Sequence, residues 1–150
     1  MEFGVNIIPP IVTNEILRRL LMHEGSIFRD MYLRPGKYKV CDHHDYTLKG
    51  YNKRAQNISE LSMSHELMRF EFSVERAWPL NKIGIYTLAN LKEGRVLIRL
   101  IKELVDVQWP KILFFEPKVE NLSLDSKDRV RVSNWTNPNY WHKLSHRVRS

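Results

Sequence analysis

Apolar and polar residues alternate most clearly between residues 46 and 75. In Leu67-Met68-Arg69-Phe70-Glu71-Phe72-Ser73-Val74-Glu75, an extended chain puts Met68, Phe70, Phe72 and Val74 on one side and Arg69, Glu71, Ser73 and Glu75 on the other, because successive strand side chains point to opposite faces. Tyr46 to Lys53 divides the same way, with Thr47, Lys49, Tyr51 and Lys53 opposing Tyr46, Leu48 and Gly50. If the two strands share a sheet with their apolar sides on the core, phenol, ammonium, guanidinium and carboxylate groups gather on the second face. Read from alternation alone, that face is a solvated one laced with exposed ion pairs of small energetic weight.

The same reading extends to the rest of the chain. Glu2 to Ile8 is predicted as a strand, Phe3, Val5 and Ile7 alternating with Glu2, Gly4 and Asn6, and Pro9-Pro10 ends it. A strand that begins at the first residues suggests a chain that starts within a larger protein. A helix is predicted from Thr13 or Asn14, both good N-caps, with an apolar stripe of Ile16, Leu17, Leu20 and Leu21 and a stop at Gly25. Residues 26–37 read as a connection with a short extended piece, residues 54–66 as a polar loop, and Trp78-Pro79 as the start of a further loop. Thr87 is placed to cap a short helix from Leu88 to Leu91, and Arg95 to Gln108 carries apolar residues at helical spacing. Trp109 to Phe115 reads as a buried strand or helix end, and Asp125 to Asn134 as a charged helix. The predicted fold class is α+β: one domain with an antiparallel sheet from residues 2–8, 37–53 and 67–76, helices on one face, and a mostly helical extension over 77–150.

Charge and cysteine content narrow the function classes. The net charge of +7 favours a polyanionic partner, nucleic acid being the commonest. Cys41 is the lone cysteine, which excludes an internal disulfide and cysteine-based zinc modules and suits a reducing compartment. The N-terminus lacks a signal-peptide pattern, and no stretch approaches the roughly 20 apolar residues of a membrane span. The expected location is cytoplasmic, with no membrane partner. No Gly-rich phosphate loop, Walker-type lysine or Gly-x-Ser-x-Gly turn occurs, which argues against a nucleotide or acyl hydrolase.

Four segments in order, "YTLKGYNKRAQ", "LMRFEFSVER", "LNKIGIYTLANL" and "SNWTNPNYW", preceded by "EFGVNI", resemble the C-terminal half of phage and plasmid rolling-circle replication initiators, most closely those of Bacteroidetes plasmids and phages. The resemblance covers most of the chain, and the N-terminal portion of those proteins has no counterpart in it. It implies initiation of rolling-circle DNA replication, with tyrosine-dependent nicking and rejoining of one strand at an origin in single-stranded or supercoiled DNA. The implied nucleophile, counted back from Tyr51, is Tyr38, with Tyr51 and Tyr46 as rivals. A phenol attacking a phosphodiester becomes a covalent phosphotyrosine and needs a cation or a divalent metal to take up charge on the phosphoryl oxygens. Lys53, Arg69 and Glu71 are the candidates for that support.

Many such nickases also use two histidines separated by one residue. Here His43 and His44 are adjacent and would face opposite ways on a strand. That leaves a single histidine, His43 or His44, with Glu71 and Glu2 as candidate ligands for Mg²⁺ or Mn²⁺. Lys37, Lys39, Lys49 and Arg54, and Lys143, Arg147 and Arg149 of the tail, are candidate phosphate contacts. The competing expectation is a non-catalytic DNA-binding or regulatory protein made of the same half, with an exposed sheet edge open to homodimer formation.

Overall fold

The computed structural model describes residues 1–31, 37–56, 65–116, 123–135 and 137. Along the chain these form β1 (Glu2–Ile7), α1 (Thr13–Arg19), β2 (Leu20–His23), β3 (Ser26–Ile27), β4 (Arg29–Asp30), β5 (Tyr38–Asp42), β6 (Tyr46–Asn52), α2 (Lys53–Gln56), β7 (Met68–Val74) and α3 (Trp78–Lys82). A 3₁₀ turn (Leu88–Lys92) leads into α4 (Gly94–Lys102), which continues as a π-helical segment (Glu103–Gln108). A second 3₁₀ turn (Trp109–Lys111), β8 (Ile112–Phe114) and α5 (Ser126–Trp135) follow. The fold is α+β, with antiparallel sheets and a helical C-terminal part.

The main sheet has five strands in the order β1-β7-β6-β5-β4, and a smaller one has the order β3-β2-β8. The apolar side of the main sheet is the core: Phe70 and Leu48 are fully buried, with Met68, Phe72 and Val74 beside them. Removing a ring such as that of Phe70 costs about 3–5 kcal/mol. Helix α1 covers this side, and Gly50 sets how closely. A Cβ at Gly50 would stand 3.3 Å from Leu17 Cδ2 and 3.4 Å from Leu20 Cδ1, so the glycine lets the helix end rest directly on β6. Leu104 of the π-helical segment, Ile112 of β8 and Trp109, edge-on to Phe70 at 5.0 Å, complete the cover. A second, smaller cluster of Ile85, Val96 and Leu100 seats α4 against Phe3 of β1.

Three predicted elements form differently. The helix expected to run to Gly25 ends at Arg19, and the wholly buried Leu20–His23 segment is a strand instead. Its apolar run fits a helix locally, but β8 pairs with it across the chain (Leu20 opposite Phe114, His23 opposite Ile112), and that pairing decides. Gly25 is then not a helix stop. Glu24 and Gly25, at φ +44° and +85°, form the two-residue link of the β2–β3 hairpin, where a tight antiparallel connection requires positive φ. Trp78-Pro79 starts helix α3 rather than a loop, because proline is tolerated in a first helical turn. Strand β6 ends at Asn52, so Lys53 opens α2, whose Ala55 N–H donates to Asn52 Oδ1 at 2.9 Å. The 3₁₀ turn behind Thr87 and the α4–π helix fall where predicted.

Candidate functional site

On the polar side of the main sheet, strand register sets side chains in rows. Tyr38, Tyr51, Arg69 and Asn6 stand opposite one another across β5, β6, β7 and β1, and Lys49, Glu71 and Gly4 form the next row. The Tyr51 hydroxyl donates to Glu71 Oε1 at 2.8 Å, and Arg69 Nε donates to the same oxygen. The other end of the Arg69 guanidinium donates to Asn6 Oδ1 at 3.1 Å. Lys49 donates to Glu2 Oε1. The Tyr38 ring lies flat on that of Tyr51, centroids 4.9 Å apart and planes within 4°. Gly4 makes room for the acid: a Cβ there would meet Glu71 Cγ at 2.6 Å and the Phe70 carbonyl oxygen at 2.7 Å.

Electrostatics keep this phenol protonated. Burial, and then the hydrogen bond to Glu71, raise the Tyr51 pKa above its ordinary value, so it stands as a donor aimed at a carboxylate. The Lys49 hydrogen bond holds Glu2 below the usual carboxylate range. For Arg69, burial opposes the charge, but the Glu71 hydrogen bond outweighs it and the pKa is raised. A phenol within 2.8 Å of a carboxylate, flanked by a guanidinium and an ammonium, is equipped to lose its proton during attack and to meet an anionic substrate.

The expected site residues distribute unevenly. Tyr38, Tyr51, Arg69, Glu71 and Glu2 come together on this face, and Lys49 joins them. Lys53 approaches the Tyr51 ring, its Nζ 5.8 Å from the centroid, and donates to Gln56 Oε1 at 3.4 Å. Lys37 is exposed beside β5. Lys39 points to the other side and pairs with Asp30 at 3.0 Å, while Arg54 pairs with Glu66 at 3.7 Å. Lys143, Arg147 and Arg149 lie outside the described residues. His43 is not brought to Glu71 and Glu2. It belongs to a cluster on the opposite side of the sheet, and among the described residues no three His, Cys, Asp or Glu side chains form a metal-ligating group.

That second cluster has no local signal in the sequence. His23 Nδ1 and His43 Nε2 are 3.0 Å apart, and His43 stacks on Tyr46 at 4.5 Å. The Tyr46 hydroxyl donates to Glu24 Oε2 at 2.9 Å, and Lys111 pairs with Glu24 at 2.7 Å. His23 is fully buried, its Nε2 without a hydrogen-bond partner within normal distance among the described residues, and burial followed by the nearby His43 pulls its pKa down to about 4. Burial pushes the Cys41 thiol, 3.6 Å from His43 Nε2, up to about 12, so it is not a poised thiolate. The cluster joins the two sheets: His23 sits on β2, while His43 and Tyr46 flank the β5–β6 turn.

Comparison with known proteins adds no relative: no protein-family profile, curated protein or solved structure matches the chain. Among the described residues, no helix is long and apolar enough to cross a membrane.

Proposed function

We propose that the chain acts on DNA as a tyrosine-dependent nicking and rejoining protein of the rolling-circle initiator type, working in the cytoplasm at an origin. The observation that carries this reading is the Tyr51 hydroxyl, 2.8 Å from Glu71 Oε1 and beside Arg69, on the polar face of the sheet. Tyr51 Oη attacks the scissile phosphorus while Glu71 takes the phenolic proton. The bond from phosphorus to the 3′ oxygen breaks, that oxygen is protonated to a 3′-hydroxyl, and the 5′-phosphate stays on the tyrosine. Attack by a 3′-hydroxyl on the phosphotyrosine reverses the step and rejoins the strand. Arg69 and Lys49 meet the charge that develops on the phosphoryl oxygens. A Mg²⁺ or Mn²⁺ would be held by Glu71 and Glu2, whose Oε1 atoms already accept from Tyr51 and Arg69 and from Lys49, and it would add charge stabilisation at the phosphoryl oxygens.

One observation favours the second reading, a non-catalytic DNA-binding or regulatory protein: Tyr51 is only 5% exposed, and the half-buried Tyr38 covers its ring. Within the catalytic reading, the same observation keeps Tyr38 as the rival nucleophile. Pairing of two copies through the β1 edge of the main sheet belongs to either reading.

The test incubates the protein with supercoiled and single-stranded origin DNA, with and without Mn²⁺, and looks for a denaturant-resistant protein–DNA adduct. An adduct abolished by Tyr51→Phe and kept by Tyr38→Phe is the expected result. The reverse pattern moves the nucleophile to Tyr38. No adduct, with DNA binding that weakens as salt rises, leaves the binding protein.

A further inference from the structure

Away from the Tyr51 face, two hollows of about 350 Å³ and 470 Å³ adjoin, sharing Lys82, Ile83, Glu103 and Val107 as walls. Together they make one groove between α3 with its following turn and the α4–π helix. Two exposed aromatic side chains line it, Trp78 in the first hollow and Tyr86 in the second, 43% and 73% exposed. Such exposure leaves the Tyr86 ring open to a ligand, whereas one face of Trp78 is occupied by Lys82. The Lys82 ammonium lies 3.8 Å from the centroid of the Trp78 ring. Arg99 lies over the backbone of Gly84 (φ +81°), where a Cβ would stand 3.0 Å from its Nη1, so glycine here keeps the guanidinium along the groove wall.

The charge is one-sided. Lys82, Arg99, Lys102 and Lys111 line the groove against Glu24 and Glu103. Glu24 is already paired with Lys111, and Glu103 accepts a hydrogen bond from Gln108 at 2.5 Å. Among the described residues, Lys82, Arg99 and Lys102 have no carboxylate within ion-pair distance.

We infer that this groove holds single-stranded nucleic acid, with bases stacked on Trp78 and Tyr86 and phosphates on Lys82, Arg99 and Lys102. Open aromatic faces interleaved with unpaired cations are what a single strand uses, since every base offers a π-face and every link a phosphate. A duplex keeps its bases stacked inside and has no use for the rings. A base seated on Trp78 displaces the Lys82 ammonium to a neighbouring phosphate. An acidic peptide would engage the cations and leave the rings idle. The inference rests on the reading that the chain acts on DNA, but it needs no covalent step and lies across the sheet from Tyr51. A strand held there stays near the protein while its neighbour is cut.

The test measures fluorescence anisotropy of a labelled oligothymidylate, and of a duplex of equal length, with the full chain in EDTA so that no divalent ion contributes to binding. The variants are Trp78→Ala, Tyr86→Ala and the pair Lys82→Gln/Lys102→Gln, all at surface positions and each checked by thermal melting. Each aromatic variant is expected to weaken single-strand binding roughly tenfold while duplex binding stays unchanged. The lysine pair is expected to reduce the slope of log affinity against log salt by about 1.4. Wild-type single-strand affinity in both aromatic variants overturns the inference, whatever the adduct assay gives. So does an acidic peptide that displaces the strand equally well from wild type and the aromatic variants. Loss of groove binding in a protein that never forms a tyrosine adduct keeps the groove and removes the nicking reading.

Discussion

The main sheet carries a phenol donating to a carboxylate on each of its sides, and the two pairs look alike by distance: Tyr51 to Glu71 at 2.8 Å and Tyr46 to Glu24 at 2.9 Å. Each acid also has a cation, Arg69 in one case and Lys111 in the other. In both, burial first and the carboxylate second raise the phenol's pKa. What differs is the surroundings. Around Tyr51 stand Lys49, Asn6 and a second tyrosine, charges and donors suited to a phosphate. Around Tyr46 stand two histidines and Phe72, and its acid comes from a hairpin turn. The first arrangement has the surroundings that the proposed proton transfer calls for, and the second fastens two sheets together. A hydrogen bond of good length therefore says little about role until its neighbours are counted.

The sharpest way to break this comparison is to remove the base on one side and the phenol on the other. Glu71→Gln is expected to lower adduct formation on the order of 10²–10⁴-fold, while Tyr46→Phe leaves adduct yield unchanged. Equal losses in the adduct assay would mean the two sides do not differ in role.

Acidification probes the second side first, since its histidines begin to titrate at higher pH than Glu2 of the first. The folded-state pKa of His23 lies near 4, below its ordinary 6.5, and that of His43 is also lowered, so the unfolded chain binds more protons throughout that window. Stability is therefore whole above about pH 6.5 and falls as pH drops toward about 4, by on the order of 3 kcal/mol from His23. Denaturant melts across this range check it, and His23→Gln should flatten the profile. An unchanged acid profile in that variant would place the titration elsewhere.

Smaller effects separate the two glycines. Gly4→Ala drives a methyl into Glu71 and the Phe70 carbonyl. It should cost about 1–3 kcal/mol and also reduce adduct formation, because Glu71 is displaced. Gly50→Ala meets leucine methyls at 3.3 and 3.4 Å and the Phe70 ring at an ordinary 3.9 Å, and should cost less and leave the adduct intact. Tyr46→Phe, which deletes one hydrogen bond, should shift stability by about 1 kcal/mol.

Much of the first site is legible in the amino-acid sequence. Period-two alternation in Tyr46–Asn52 and Met68–Val74 is a property of extended backbone, so Lys49 and Tyr51, and Arg69 and Glu71, each have to share a side. The antiparallel strands, the 3₁₀ turn behind Thr87 and the helix into Gln108 follow from the same local patterns. The second cluster is not legible, because its members come from β2, the Glu24-Gly25 turn, the β5–β6 connection and Lys111, segments with no shared local pattern.

The sequence by itself determined which side chains share a face within each strand, since that depends only on covalent geometry and burial. The tertiary structure alone decided register and partner. It set Tyr51 opposite both Arg69 and Tyr38, brought Glu2 to Lys49, and turned Leu20–His23 from helix to strand by pairing it with Ile112–Phe114. Hydrogen bonding between segments distant in the chain outweighs local propensity where both faces of a segment are buried.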